Sequence, residues 1–315
     1  MTDAIGGYFG LELRKGQHYH QNALRLNTGR NCFEYILRAR KYTHVYIPYY
    51  TCEVMLEPLQ KLHIPYSFYS IDHLLEPAFL PELKQNEAFV YTNYYGLKQT
   101  CVERLSNQYG QQLVVDNSQA FFAPRIDKID TFYTARKFFG VPDGAYLYTE
   151  ATLDKELPQD ISVDRMSHLL KRLENGAESG FADYQKQEEE LCEQSIKKMS
   201  MLTERILKSI DYEMVKQQRR DNYLLLHNSL RETNGLSLEI DNAIPMVYPY
   251  LTEKGDSLRR LLQRQRIYIA TYWPNVLKWS THDSTDYRLA SQILPLPIDQ
   301  RYGEEDIKKI IDILS

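Results

Sequence analysis

Apolar positions along the chain follow two rhythms, and the stretches over which each holds predict different elements. Residues 43–50, 65–70, 88–93, 113–116 and 129–134 are short runs dense in Val, Ile, Tyr and Phe. Several of them end at proline, asparagine or aspartate, as buried strands do. Between them, Cys32, Phe33, Ile36 and Leu37 recur at helical spacing within 32–40, and further helices are predicted over 51–62 and 101–109. Strand and helix alternate at the spacing of crossover units. The segment from about 25 to 150 is therefore predicted to be a mostly parallel α/β sheet with its ligand at the carboxyl edge.

Past Thr149 the pattern changes. Helices are predicted over 164–175, over a long charge-rich stretch at 178–210, and over 215–233, where Asn234-Gly235 suits a left-handed C-cap. The tail reads as strand 243–250, helix 255–266, strand 267–273, an extended stretch at 293–298 and an amphipathic helix at 304–314. The expected organisation is an N-terminal arm at 1–24, a large α/β domain at 25–190 and a smaller α+β domain at 191–315.

Composition narrows the class without identifying chemistry. A chain of 315 residues, 43% hydrophobic and 25% charged, is ordinary globular material, and a net charge of −4 gives no electrostatic reason to expect nucleic acid or an acidic membrane as partner. No apolar run reaches the length of a membrane span. The four cysteines are scattered, with no C-x-x-C pair, and read as free thiols of a cytosolic protein. His18 and His20 have no evident third ligand, so no metal site is expected.

The candidate chemistry lies in two strand ends. Lys137 follows the run at 129–134 and precedes Gly140, Pro142, Asp143 and Gly144, which places it where a turn leaves the sheet. There an amine beside Arg136 would be a nucleophile toward an aldehyde or ketone; a surface lysine in a turn is the alternative. Asp116 ends the run at 113–116, one loop and one strand earlier, so both side chains are expected at the same sheet edge. A carboxylate and an imine-forming amine facing one pocket suit pyridoxal phosphate: the acid keeps the ring nitrogen protonated and the lysine holds the aldehyde. Asp116 as a helix cap remains the alternative. Asn27-Thr28-Gly29-Arg30 opens the helix at 32–40, and free N–H groups there would bind a phosphate or simply be capped.

With these motifs in this order, the stretch from Leu26 to Tyr148 resembles the DegT/DnrJ-type sugar aminotransferases, within the fold type I pyridoxal-phosphate enzymes. The resemblance implies a seven-stranded-type large domain and a homodimer. It implies Asp116 on the pyridine nitrogen, Gln119 near the phenolic oxygen, Lys137 as the imine-forming residue, and Thr28, Gly29 and Arg30 around the phosphate. The serine that the family places five residues before its lysine is Phe132 here, with Thr134 as the replacement. In the family an aromatic that stacks on the cofactor follows a Pro-x-x-Thr stretch; here Pro48-Tyr49-Tyr50-Thr51 leads to Cys52, leaving Tyr50 as the stacking candidate. The implied activity transfers an amino group from a glutamate-like donor to a nucleotide-linked keto-sugar. Other chemistry on the same cofactor (racemisation, elimination, dehydration) and a non-catalytic binding scaffold are the alternatives.

Overall fold

The computed structural model describes residues 5–237 and 239–314. Strand β1 (Leu24–Leu26) runs into helix α1 (Gly29–Arg40), followed by β2 (His44–Pro48), α2 (Leu56–Lys61), β3 (Tyr66–Tyr69), β4 (Glu87–Thr92), α3 (Gln99–Tyr109), β5 (Leu113–Asn117), β6 (Asp130–Thr134) and β7 (Ala145–Tyr148). These strands form one seven-stranded sheet in the order β1-β7-β6-β5-β4-β2-β3. Pairing is parallel from β3 through β6, and β7 runs antiparallel to both β6 and β1. All strands except β7 therefore end on the same edge. The sheet is buried on both faces: Val45, Ile47, Val90, Val114 and Phe132 pack beneath α1, while Phe89, Tyr91, Val115 and Tyr133 belong to a second apolar layer. That two-sided burial explains why these strands read as near-continuous apolar runs.

The remainder comprises α4 (Ser167–Asn175), α5 (Phe181–Glu190), α6 (Met201–Lys208), α7 (Tyr212–Leu230), β8 (Val247–Leu251), α8 (Gly255–Arg264), α9 (Val276–Trp279), α10 (Thr285–Gln292), β9 (Ile293–Pro297) and α11 (Glu304–Leu314). β8 and β9 pair antiparallel as a separate two-stranded sheet, backed by Tyr223, Leu226 and Leu230 of α7 and by Ile307 and Ile310 of α11.

The left-handed C-cap expected at Asn234-Gly235 does not form, since α7 is capped by Arg231 in right-handed geometry and Asn234 is extended (φ −80°). Two predicted elements also differ. The helix expected over 178–210 is two helices, because 191–200 leaves helical geometry at Glu193 (φ +54°) and bonds to the main sheet: Met199 N donates to Arg25 O (3.1 Å) and Asn27 N to Lys197 O (3.0 Å). Ser200 then caps α6 by accepting from Thr203 N. The strand expected over 267–273 is a loop. Arg266 turns the chain left-handed (φ +60°), and β8 takes β9 as its partner instead.

The N-terminal histidines serve packing. His20 bonds through Nε2 to Phe121 O (2.9 Å) and lies over Tyr133, and His18 Nδ1 meets the Tyr146 hydroxyl (2.7 Å). Among the described residues no group of three or more His, Cys, Asp or Glu is arranged to hold a metal, and no helix is long and apolar enough to cross a membrane.

Burial lowers His20 to about 4 against an ordinary 6.5. The unfolded chain thus takes the proton first, and the stability that neutral His20 confers is complete above pH 6.5 and lost as pH falls toward 4. Urea unfolding of His20→Gln should show acid destabilisation over that window smaller than the parent's by about 3 kcal/mol.

Candidate active site

The register across the sheet places Thr92 opposite Asp116 and Asp116 opposite Phe132. Asp116 thus sits at the carboxyl edge, and Lys137 follows β6 by three residues. Phe138 and Phe139 N–H both return to Ala135 O (3.0 and 2.9 Å), making a tight turn that leaves the Lys137 side chain exposed. The Asp116 carboxyl is buried; Oδ1 accepts from Ser118 N (2.8 Å), the Ser118 side chain also bonds the carboxyl, and Oδ2 has a long contact to Thr92 Oγ1 (3.5 Å). Burial pushes this carboxyl above its usual range, and the charge of Lys137 opposes the shift. The acid and the amine therefore feel one another across the end of the sheet.

Gln119 is fully buried. Its Oε1 accepts from Tyr95 N (2.9 Å), while Nε2 has no partner among the described residues, an orphaned donor of the kind a bound group would satisfy. At the start of α1, Thr28 Oγ1 accepts from Asn31 N (3.1 Å) and donates to Asn31 Oδ1, so the hydroxyl is committed to capping. The N–H groups of Gly29 and Arg30 carry no hydrogen bond among the described residues, and such a helix start favours an anion. The Arg30 guanidinium is taken by Glu57 of α2 (2.5 Å), leaving only its backbone for a phosphate. Gly29 is required by space: a Cβ there would lie 2.5 Å from Thr134 Cγ2 and 3.7 Å from Ser118 Oγ. The α1 start, Ser118 and Thr134 therefore lie close together with no room for a side chain unless Thr134 turns aside. Thr134 Oγ1 bonds Ser118 O (3.3 Å).

Tyr50 occupies a different place from the one the sequence suggested. It is fully enclosed, its hydroxyl on Tyr95 (2.7 Å) and its ring against Tyr94 and the edge of Trp273 (5.2 Å), so neither face is open to a cofactor ring. The aromatics beside the lysine come from the loop after α8: Lys137 Nζ lies 5.8 Å from the centroid of Tyr272 and 5.7 Å from that of Trp273. Sequence reasoning missed this pair, since Tyr-Trp before Pro274 carried no mark beyond its aromaticity.

From Lys137 a cleft of about 1050 Å³ opens toward α4, α5 and the tail. Arg136, Lys137, Arg172, Arg219 and Arg301 line it against only Glu178 and Asp299. Arg136 pairs with Glu188, and Arg301 with Asp299 (2.6 Å). Arg219 is almost wholly buried with carbonyls and an amide for partners: Met246 O (3.0 Å), Pro245 O (3.3 Å) and Gln300 Oε1 (3.2 Å). Burial pulls it down to about 10. Gln300 Nε2 also holds Phe138 O (2.8 Å), fastening the lysine turn to the tail. Beyond the lysine, Asp143 anchors the return to β7 through Ser200 Oγ (3.1 Å), Thr203 Oγ1 and Arg165 (3.2 Å). Arg165 also pairs with Asp160 (2.6 Å).

No family model matches the chain, and no curated protein matches it in sequence. Solved structures do. A DegT DnrJ EryC1 StrS aminotransferase from Brucella abortus is 15% identical, with 93% of this chain and 84% of that one aligned at a TM-score of 0.61. DesI, solved in the presence of its TDP-sugar product, is 14% identical over 93% and 79% of the two chains at 0.62. NtdA from Bacillus subtilis with bound cofactor PMP is 14% identical over 93% and 72% at 0.65. The fold is that of the DegT/DnrJ-type sugar aminotransferases. At this identity the likeness concerns the path of the chain, and the site's chemistry rests on the residues above.

If the Gly29 contact is what joins helix start to strand end, Gly29→Ala should overpack it and cost about 1–3 kcal/mol. Thr134→Ser, which removes Cγ2, should restore most of that loss in the double variant, as read from urea midpoints.

Proposed function

We propose that this chain is a pyridoxal-phosphate-dependent aminotransferase acting on a nucleotide-linked keto-sugar, with Lys137 and Asp116 as its catalytic residues. The observation that carries the reading is the buried Asp116 carboxylate at the carboxyl edge, within electrostatic reach of an exposed lysine on the next strand end. The orphaned Gln119 Nε2 and the open N–H groups of Gly29 and Arg30 supply the remaining complementarity that a phosphorylated pyridine needs.

Bound, the cofactor would supply an aldehyde to capture an amine and an electron-accepting ring to stabilise charge at the neighbouring carbon. The chain's own residues do the rest. Lys137 Nζ would hold the aldehyde carbon and, once the donor's amine has displaced it, take and return the proton at the substrate carbon. Asp116 would keep a proton on the ring nitrogen, and Gln119 Nε2 would donate to the phenolic oxygen. Gly29 and Arg30 N–H would hold the phosphate, with Ser118 and Thr134 beside them. Thr28 acts by capping the helix that presents those groups.

The cleft supports an anionic acceptor. Its size suits a large ligand and its lining carries an excess of guanidinium groups, which recognise phosphate and carboxylate alike. A glutamate-like donor is acidic too. The family builds its pocket from two chains, and the homodimer belongs to this proposal, as does a cytosolic location, which the scattered free thiols support.

Added pyridoxal phosphate should bring near-visible absorbance that borohydride removes, with the reduced adduct at Lys137; a colourless protein with no adduct would defeat the assignment. Glutamate should then convert the absorbance to that of the amine form. Product without that conversion would point to racemase or lyase chemistry. Asp116→Asn should lower turnover about ten- to a hundredfold, the worth of one charge-assisted hydrogen bond.

A further inference from the structure

We propose that Tyr272 and Trp273 form the aromatic wall of the cofactor site, a role the turn after β2 does not fill in this chain. The inference rests on the pyridoxal-phosphate reading and goes beyond it, because it gives the tail, rather than the large sheet, one face of the pocket.

Three observations carry it. The β2 turn offers no ring to the lysine: Tyr49 stacks on Phe68 of β3 (4.5 Å), Tyr50 is enclosed, and the residue after Thr51 is Cys52, a small thiol that burial pushes up and the charge of Lys137 pulls back. The amine expected to hold the ring is flanked by Tyr272 and Trp273 at nearly equal distances. Finally, the loop bearing them is tied to the large sheet. Asn275 Nδ2 donates to Thr51 O (2.9 Å), Trp273 meets Tyr50 edge-on, and the Tyr50 hydroxyl meets that of Tyr95, whose N–H is held by Gln119. A continuous set of contacts thus runs from the wall to the buried amide beside Asp116. A flat heteroaromatic ring gains from such a wall by offset or edge contact. Until a ring is present, the two π faces lie toward an ammonium, to which they are also suited.

Tyr272→Ala should weaken uptake of pyridoxal phosphate, followed by absorbance, about tenfold, whereas Tyr272→Phe, which keeps the ring, should bind as the parent does. A second readout leaves Tyr272 intact. The chain has two tryptophans, and Trp279 packs on Phe68 of β3 at the sheet's far edge. Titrated with cofactor, the emission of Trp273 in Trp279→Phe should be quenched more completely than that of Trp279 in Trp273→Phe. Full absorbance with equal quenching of the two, or with unchanged affinity in Tyr272→Ala, would overturn the wall and leave the cofactor assignment intact. Absence of any absorbance in the parent would overturn both.

Discussion

The arrangement depends on one costly item, the carboxylate of Asp116 held out of water at the end of a central strand. A buried carboxylate is tolerated only with compensating donors or charge. The chain supplies Ser118 N–H on one oxygen, a long contact from Thr92 on the other, and the ammonium of Lys137 from the neighbouring strand end. Asp130 contrasts with it: that carboxylate is paired directly with the Arg40 guanidinium and bonded by Thr149.

The rest of the molecule can be understood as holding that edge in place. Parallel pairing from β3 to β6 delivers Thr92, Asp116 and the lysine turn to the same side. Gly29 lets the start of α1 close onto Thr134 and Ser118. On the far side of the lysine, Asp143 ties the return strand to α6 and Arg165. Arg219 of α7 and Gln300 reach to the carbonyl of Phe138, so the turn is held on both sides. Rigid support from independent elements is what a site needing sub-ångström positioning demands.

The excess of guanidinium groups in the cleft has a physical consequence of its own. Arg219 lacks a carboxylate in contact, and its burial is tolerated through carbonyl acceptors and the ring of Phe138 (4.6 Å). The cleft therefore keeps a positive field. Along the chain Arg219 carries no mark that separates it from an arginine in a surface ion pair, such as Arg266 with Glu178.

What the residue order determined by itself was local and periodic. Two-sided apolar runs specified parallel strands, the acid at the end of one and the lysine after the next specified a shared edge, and small residues before a helical repeat specified an open helix start. These follow from neighbours a few positions apart. Tertiary structure alone decided which groups were left free. Thr28 is spent on Asn31, Arg30 on Glu57, and Tyr50 on a tyrosine cluster, because each lies within reach of a partner remote in sequence or already part of a cap. Tyr272 and Trp273 reach the lysine only because Arg266 turns the chain out of a would-be strand and Asn275 fastens the resulting loop to Thr51. Hydrogen bonding and close packing are competitive and long-range, so the availability of a side chain is settled by the whole fold, whereas its chemical type is settled by its position in the sequence.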